Sequence, residues 1–500
     1  MAVVAATGCS STDAAEPSEV SELRTVTSFA VQNLDPLQQG FWLVSWGAAE
    51  RLMRPAEDGT IQPWVLSELT PTSDLTWELR LHSGVRFHHG GELDADGLVA
   101  LLERHVADRP AVTAVLDGAR FEATGDGTVT ATLARPTPNL PNLFADELIT
   151  VYDVAAADTA GEDDAALAQA GIYTGPFRVE QLTSEALTLA RNDIYWGGEV
   201  TLPGVEVQFV DDGNARVQAV RSGQADLAFY PPTDALRGLA DPHVAVLRSP
   251  IATSRLRAFL NQAQAPLDEP PVRRALALAI DYREIAEDVL DGFYDQTTSM
   301  YPPEVPYALD LVGTDLPQAE SLLDDAGWLP GDDGVRRKDG QELAVTVLSY
   351  ATQPDTAVIV TAMQAQLSQV GFRVELNDVP ANYAAMEEPG WHVGLSFDST
   401  LGYSFDPIRP LRTFEHSDGV YNFGGVADPQ LDQLVDELAA TFDEQRRDQL
   451  LDRIQQIVVA EQAYTLFVTE RPALVVAGDG WRSYRPSSVL LHVDATTSPS

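Results

Sequence analysis

Segments with the two-residue period of a half-buried strand alternate with segments spaced as amphipathic helices along nearly all of this chain. No other feature narrows its choice of fold as much. In LTWELRLHSGVRFHHGG, Leu75, Trp77, Leu79 and Leu81 fall on every second position. Gly84 permits a turn, and Val85 and Phe87 continue the alternation as an expected second strand. DADGLVALLERHV then puts Leu98, Leu101, Leu102 and Val106 on one helical face. GTVTATLARP returns to the strand period and ends at Pro136. Residues 24–46 read as a strand followed by an aromatic-rich loop. GIYTGPFRVEQL, LTLARNDIYWGG and LPGVEVQFVDD each supply a strand bounded by Gly or Pro, and ARVQAVRSGQADLAFY reads as helix, glycine stop and strand.

The texture repeats after residue 260. DEPPVRRALALAIDYREIAEDVLDG predicts one long helix capped by Asp268, with Pro270 and Pro271 in its first turn and Gly292 as its end. TDLPQAESLLDDAGW predicts another, opened by Asp315 and stopped by Gly327. QELAVTVLSY, FRVELNDV and HVGLSFDS read as strands, residues 428–462 as two helical runs, and TLFVTERPALVVAG as closing strands. Strands alternating with helices in two blocks predict an α/β protein of two lobes, because 500 residues exceed what one ordinary core encloses.

Several function classes fall away on composition and motif. A net charge of −43 repels a phosphate backbone, which argues against nucleic-acid binding. The chain has one cysteine, Cys9, so neither a disulfide framework nor a cysteine zinc site is expected. No run approaches eighteen apolar residues. GxSxG, GxxxxGK[ST], HExxH and strand-linked GxGxxG signatures are absent. A hydrolase built on a carboxylate pair leaves no spacing signature, so the residues alone leave that class open. Two lobes, many aromatics and no catalytic motif describe a receptor that captures a ligand between domains.

Cys9 follows Ala6, Thr7 and Gly8 and precedes a polar, acidic stretch. That pattern resembles the end of a bacterial lipoprotein signal, with Cys9 as the acylated residue and residues 1–20 as signal remnant and flexible tether. Further phrases are similar, in order and in register, to a known family. They are WELRLHSGVRFHHGGELDADGLVALLERH, GIYTGPFRVEQL, ARNDIYWGG, RSGQADLAF, NQAQAPLDEPPVRRALALAIDYREI and SLLDDAGW. The chain resembles the extracytoplasmic solute-binding proteins of ABC importers, in the peptide, opine and nickel family (family 5).

The resemblance implies a two-lobe periplasmic-binding-protein-like fold, type 2 and large, with an extra subdomain in lobe one. Lobe one is expected at 21–258, completed by 475–500, with the subdomain at about 60–165; lobe two is expected at 259–474. It implies no enzyme activity and no cofactor. It implies a monomer on the outer face of the cell membrane or in the periplasm. This monomer would deliver a small peptide, a peptide-like compound or a nickel chelate to a permease and ATPase complex.

In this family the loop after HVGLSFDS faces the cleft, and here it reads STLGYSFDPIRPLRTFEHSDGVYNFGG. Peptide binders carry an acidic residue just before the "DP", where this chain has Tyr403, Ser404 and Phe405. Nickel-chelate binders carry aromatics there and a downstream histidine, a pattern that Phe405, Asp406 and His416 match in part. Leu401 stands at their tryptophan, and no arginine occurs at 146–153. Candidate ligand contacts are therefore Trp42, Trp46, Tyr403, Phe405, Asp406, Arg409, Arg412 and His416. The two arginines suit a ligand carboxylate, and His416 is the candidate metal contact.

Overall fold

The computed structural model describes residues 21–350, 353, 355–399, 401 and 403–500. Cys9 and the expected tether lie outside the described residues. Three sheets carry most of the architecture. The first has seven strands in the order Val244–Arg248, Leu474–Gly478, Leu227–Phe229, Leu23–Thr27, Gly204–Phe209, Ala186–Arg191, Phe177–Leu182. Its central strand, Leu23–Thr27, pairs in parallel with both neighbours, as helix-linked strands do. The second sheet has five strands in the order Arg373–Val379, Ala344–Tyr350, Val393–Ser399, Ser254–Leu260, Thr465–Arg471. A four-stranded antiparallel sheet, Leu66–Ser73, Thr76–Leu81, Thr128–Thr132, Arg120–Gly125, stands apart from both. It shares an apolar core with the helix Ala95–Asp108 and with the first sheet.

The chain passes between the two large sheets at 249–253 and again at 472–473. Around the second sheet the helices Asp355–Gln369 and Pro270–Leu278 complete one buried cluster. Pro429–Ala440 and Glu444–Gln455 complete another, which also encloses Leu401, Phe405, Ile408 and Leu411.

Local signals explain most helix ends, and three expectations change. The segment after Leu23–Thr27 is a helix, Pro36–Ser45, rather than a loop throughout. Asp35 caps it by accepting from the Leu37 amide at 2.7 Å, and Pro36 occupies the first turn. Val85 and Phe87 are buried but lie in irregular backbone instead of a second strand, on either side of an isolated bridge between Arg86 and Glu92. The long helix after Asp268 stops at Leu278. A new turn starts at Tyr282, capped by Asp281, and Asp268 caps nothing.

The second sheet has an unusual face. Register places Arg255 opposite both Asp398 and Glu470, with Arg257 two residues along on the same side. Arg255, Arg257 and Glu470 are buried, as is Glu415 from the covering segment, and the Asp398 side chain is only 7% exposed. Arg257 donates to Asp398 at 2.7 Å and to Glu415, and its guanidinium lies over Phe414 at 4.5 Å. Arg255 donates to Glu470 at 2.5 Å and to Thr297.

Candidate functional site

A run of aromatic rings lies where the two large sheets approach each other. Phe41 and Trp42 project from the helix Pro36–Ser45 and their ring centroids are 4.6 Å apart. Phe29 stacks on Trp42 at 5.0 Å and meets Tyr230 edge-on at 4.7 Å. From the loop that follows the second sheet's Val393–Ser399 strand, Tyr403 stacks on Phe41 at 5.3 Å. Phe29 is 41% exposed, although a ring of that size usually seeks a core. The run thus presents a partly open apolar wall contributed from both sides.

Tyr230 and Phe405 hold positive φ angles of 54° and 52°. Bulky residues avoid that region, and such strain persists where surrounding contacts enforce it. At Phe405 those contacts are visible. Its ring is buried among helix-facing apolar residues, while the next amide, of Asp406, donates to the Leu401 carbonyl at 2.7 Å.

The same loop reaches across to residues 139–147. Asn139 donates to the Asp406 carboxylate at 2.9 Å, with both residues buried. Asn142 donates to the Ser404 carbonyl at 2.9 Å, and the Ser404 hydroxyl donates to Asp146 at 2.8 Å. Arg409 lies 3.3 Å from Asp146 and 3.5 Å from Glu147. The 146–148 turn is held from behind by Arg109, which donates to the carbonyls of Glu147, Leu148 and Leu37.

Burial dominates the electrostatics here. It pushes the carboxyls of Asp406 and Glu147 up, against the opposing pull of Arg409, and the Asp146 charge adds to the rise at Glu147. Tyr403 is raised by burial and by the Glu147 charge. At Arg409 burial acts to lower the pKa, but Asp146, Glu147 and Asp406 outweigh it and hold the guanidinium charged.

Of the expected site residues, the structure brings Trp42, Tyr403, Phe405, Asp406 and Arg409 to this junction. Trp46 lies elsewhere, fully buried against Phe229 and His492 in the core. Arg412 and His416 face the helix Pro429–Ala440. Arg412 pairs with Asp436 at 2.6 Å, and His416 Nε2 is 3.8 Å from Asp432 and Asp436. Its Nδ1 accepts from the Asp418 amide at 3.1 Å. Arg412 lies in the turn Leu411–Glu415 and His416 just past its end, in extended backbone, so closeness in sequence to Arg409 does not place them beside it.

Phe29, Tyr230, Asn139, Asn142, Asp146 and Glu147 join this junction without having been legible in the sequence. The one local signal was the proline-spaced pair of asparagines in PTPNLPNLF. Among the described residues, no group of three or more His, Cys, Asp or Glu side chains is arranged to hold a metal ion. Among them, no helix is long and apolar enough to cross a membrane.

Comparison with known proteins bears on what this junction serves. Residues 60–422 match the model of the bacterial extracellular solute-binding proteins, family 5 Middle. The chain is 26% identical over 450 residues to the nickel-binding periplasmic protein of Escherichia coli strain K12, with 85% of each covered. It is 25% identical over 509 residues to the probable di/tripeptide-binding protein 5 of Pseudomonas aeruginosa strain UCBPP-PA14, with 94% of each covered. A solved structure described as the nickel ABC transporter from Bacillus halodurans matches with a TM-score of 0.78 at 26% identity. That match covers 95% of this chain and 99% of the other.

Proposed function

This chain belongs to the bacterial extracellular solute-binding proteins of family 5, and from that premise we propose that it captures a small peptide-like or metal-chelate solute between its lobes and delivers it to an ABC importer. It is a binding protein and not an enzyme, and its α/β architecture is that of the family. The observation that carries the choice of site is the aromatic run from Tyr230 through Phe29, Trp42 and Phe41 to Tyr403, which lies in the loop after the second sheet's Val393–Ser399 strand. An apolar wall flanked by a few charged groups suits an organic solute.

In this reading the lobes are residues 21–258 with 475–500 and residues 259–474, hinged at 249–253 and 472–473, and ligand favours the closed arrangement. The protein acts as a monomer beside the permease and ATPase. We assign Cys9 as its lipid anchor. Labelling of expressing cells with a fatty-acid probe is expected to mark the full-length protein and to leave Cys9→Ala unmarked; equal labelling would remove the assignment.

A thermal-shift screen of residues 21–500 tests the ligand class. The panel holds di- to hexapeptides, opine-type compounds, and nickel with and without free histidine. A ligand at about a hundred times its dissociation constant stabilises by roughly 2.7 kcal/mol. His416→Ala is expected to respond as the wild type does, since His416 faces Asp432 and Asp436. A response to nickel that His416→Ala abolishes would move the site to that histidine. No response from any member would remove the proposed ligand classes.

A further inference from the structure

Arg51 is fully buried, yet among the described residues only one of its guanidinium nitrogens has a partner. Nη1 donates to the Ala145 carbonyl at 2.8 Å. Nε and Nη2, the two donors on the other edge, are buried and have no partner among the described residues. A buried guanidinium edge with two parallel N–H groups is costly to leave unmade and matches one acceptor above others, the two oxygens of a carboxylate.

Its surroundings point the same way. The Ala145 bond fixes the group directly behind the Asp146–Glu147 turn. The charges acting on it are Asp146, Glu147 and, from the opposite lobe, Arg409 and Tyr403. Arg409 repeats the pattern, because its Nε is also buried without a partner among the described residues. Arg109 adds a third cation beside the same two carboxylates. The guanidinium groups of Arg51, Arg109 and Arg409 thus gather about the Asp146–Glu147 turn. That is notable in a chain of net charge −43, whose outer field disfavours an approaching anion. A local group of guanidinium donors is what such a chain needs if its solute carries a carboxylate.

We propose that the Nε/Nη2 edge of Arg51, with Arg409 on the same Asp146–Glu147 turn, receives a carboxylate of the bound solute. The inference rests on the solute-binding reading above and narrows it: the cargo is an anion-bearing compound, whether a peptide with a free C-terminus or a chelate whose donor atoms include carboxylates.

Acid and amide pairs separate this inference from the reading beneath it. Wild-type protein is titrated calorimetrically with whichever responding peptides the screen yields, each as free acid and as C-terminal amide, and with nickel plus histidine or histidinamide. The acid form is expected to bind about ten- to a hundred-fold more tightly. Arg51→Gln is expected to bring the acid down to the level of the amide without weakening the amide. If acid and amide bind wild-type protein equally, the Arg51 edge holds only water and the inference falls, while the solute-binding function stands. If neither form of any compound binds, the function itself is what fails. Should Arg51→Gln not fold, the wild-type acid and amide comparison still decides.

Discussion

Arg257→Met is expected to lower stability by about 3–5 kcal/mol, the cost of stranding buried charge. Arg257 sits among Asp398, Glu415 and the rings of Phe414, Phe467 and Phe259, with none of its side chain exposed. Methionine can fill much of the stem's volume, but it leaves two carboxylates without their cation. Adding Asp398→Asn to Arg257→Met is expected to recover part of the loss, which a double-mutant cycle in urea would measure. An additive result would mean that Asp398 and Arg257 do not act as a pair.

The same layer makes stability depend on pH. Burial pushes Asp398 up to about 6 despite the neighbouring Arg257, and Glu470 up to about 7 despite Arg255. Both carboxyls therefore hold their protons more tightly folded than unfolded. Their contribution is full below about pH 4 and declines as pH rises through 6 to 7. Urea midpoints of the wild type are expected to fall across that window. Asp398→Asn with Glu470→Gln is expected to flatten the fall, and the cost of Arg257→Met to shrink at low pH. An unchanged slope in the double variant would assign the pH dependence to the acidic surface instead.

Glu50→Ala is expected to cost about 3–5 kcal/mol, for a different reason. Glu50 is fully buried and accepts from Trp64 Nε1 at 2.9 Å, the Tyr195 hydroxyl at 2.7 Å and Trp196 Nε1 at 2.7 Å. It ties together three segments that the sequence separates by up to 146 positions. Burial pushes its carboxyl up, opposed by these donors. Removing it leaves three donors without an acceptor, each worth about 1–3 kcal/mol where water cannot replace it. Glu50→Gln keeps one acceptor and turns an amide toward a donor, so its loss is expected to be smaller. Equal losses in the two variants would mean that packing, not hydrogen bonding, is the role of this side chain.

What the sequence determined by itself is what local chemistry controls. Alternation put Trp77, Leu79 and Leu81 on one face of a strand, and Thr76–Leu81 is that strand. Asp315 with Pro317 opened a helix, and Leu316–Asp325 is that helix, its cap accepting from the Gln318 amide. The ordered phrases from residue 77 to 328 were enough to point to the family. Local chemistry also misled where two signals competed, as at Asp35–Pro36, whose cap was outweighed by the aromatics after it.

What only the tertiary structure decided is which side chains meet. Arg51 and Arg409 are 358 positions apart and share Asp146 and Glu147. Asn139 and Asp406 are 267 apart and hydrogen-bonded. Tyr403 rests on Phe41 while His416, in the same loop, turns away onto a helix. A binding site between lobes is assembled from segments that have no sequence relation to one another. Its charges become interpretable only when burial removes the water that screens them in an open chain.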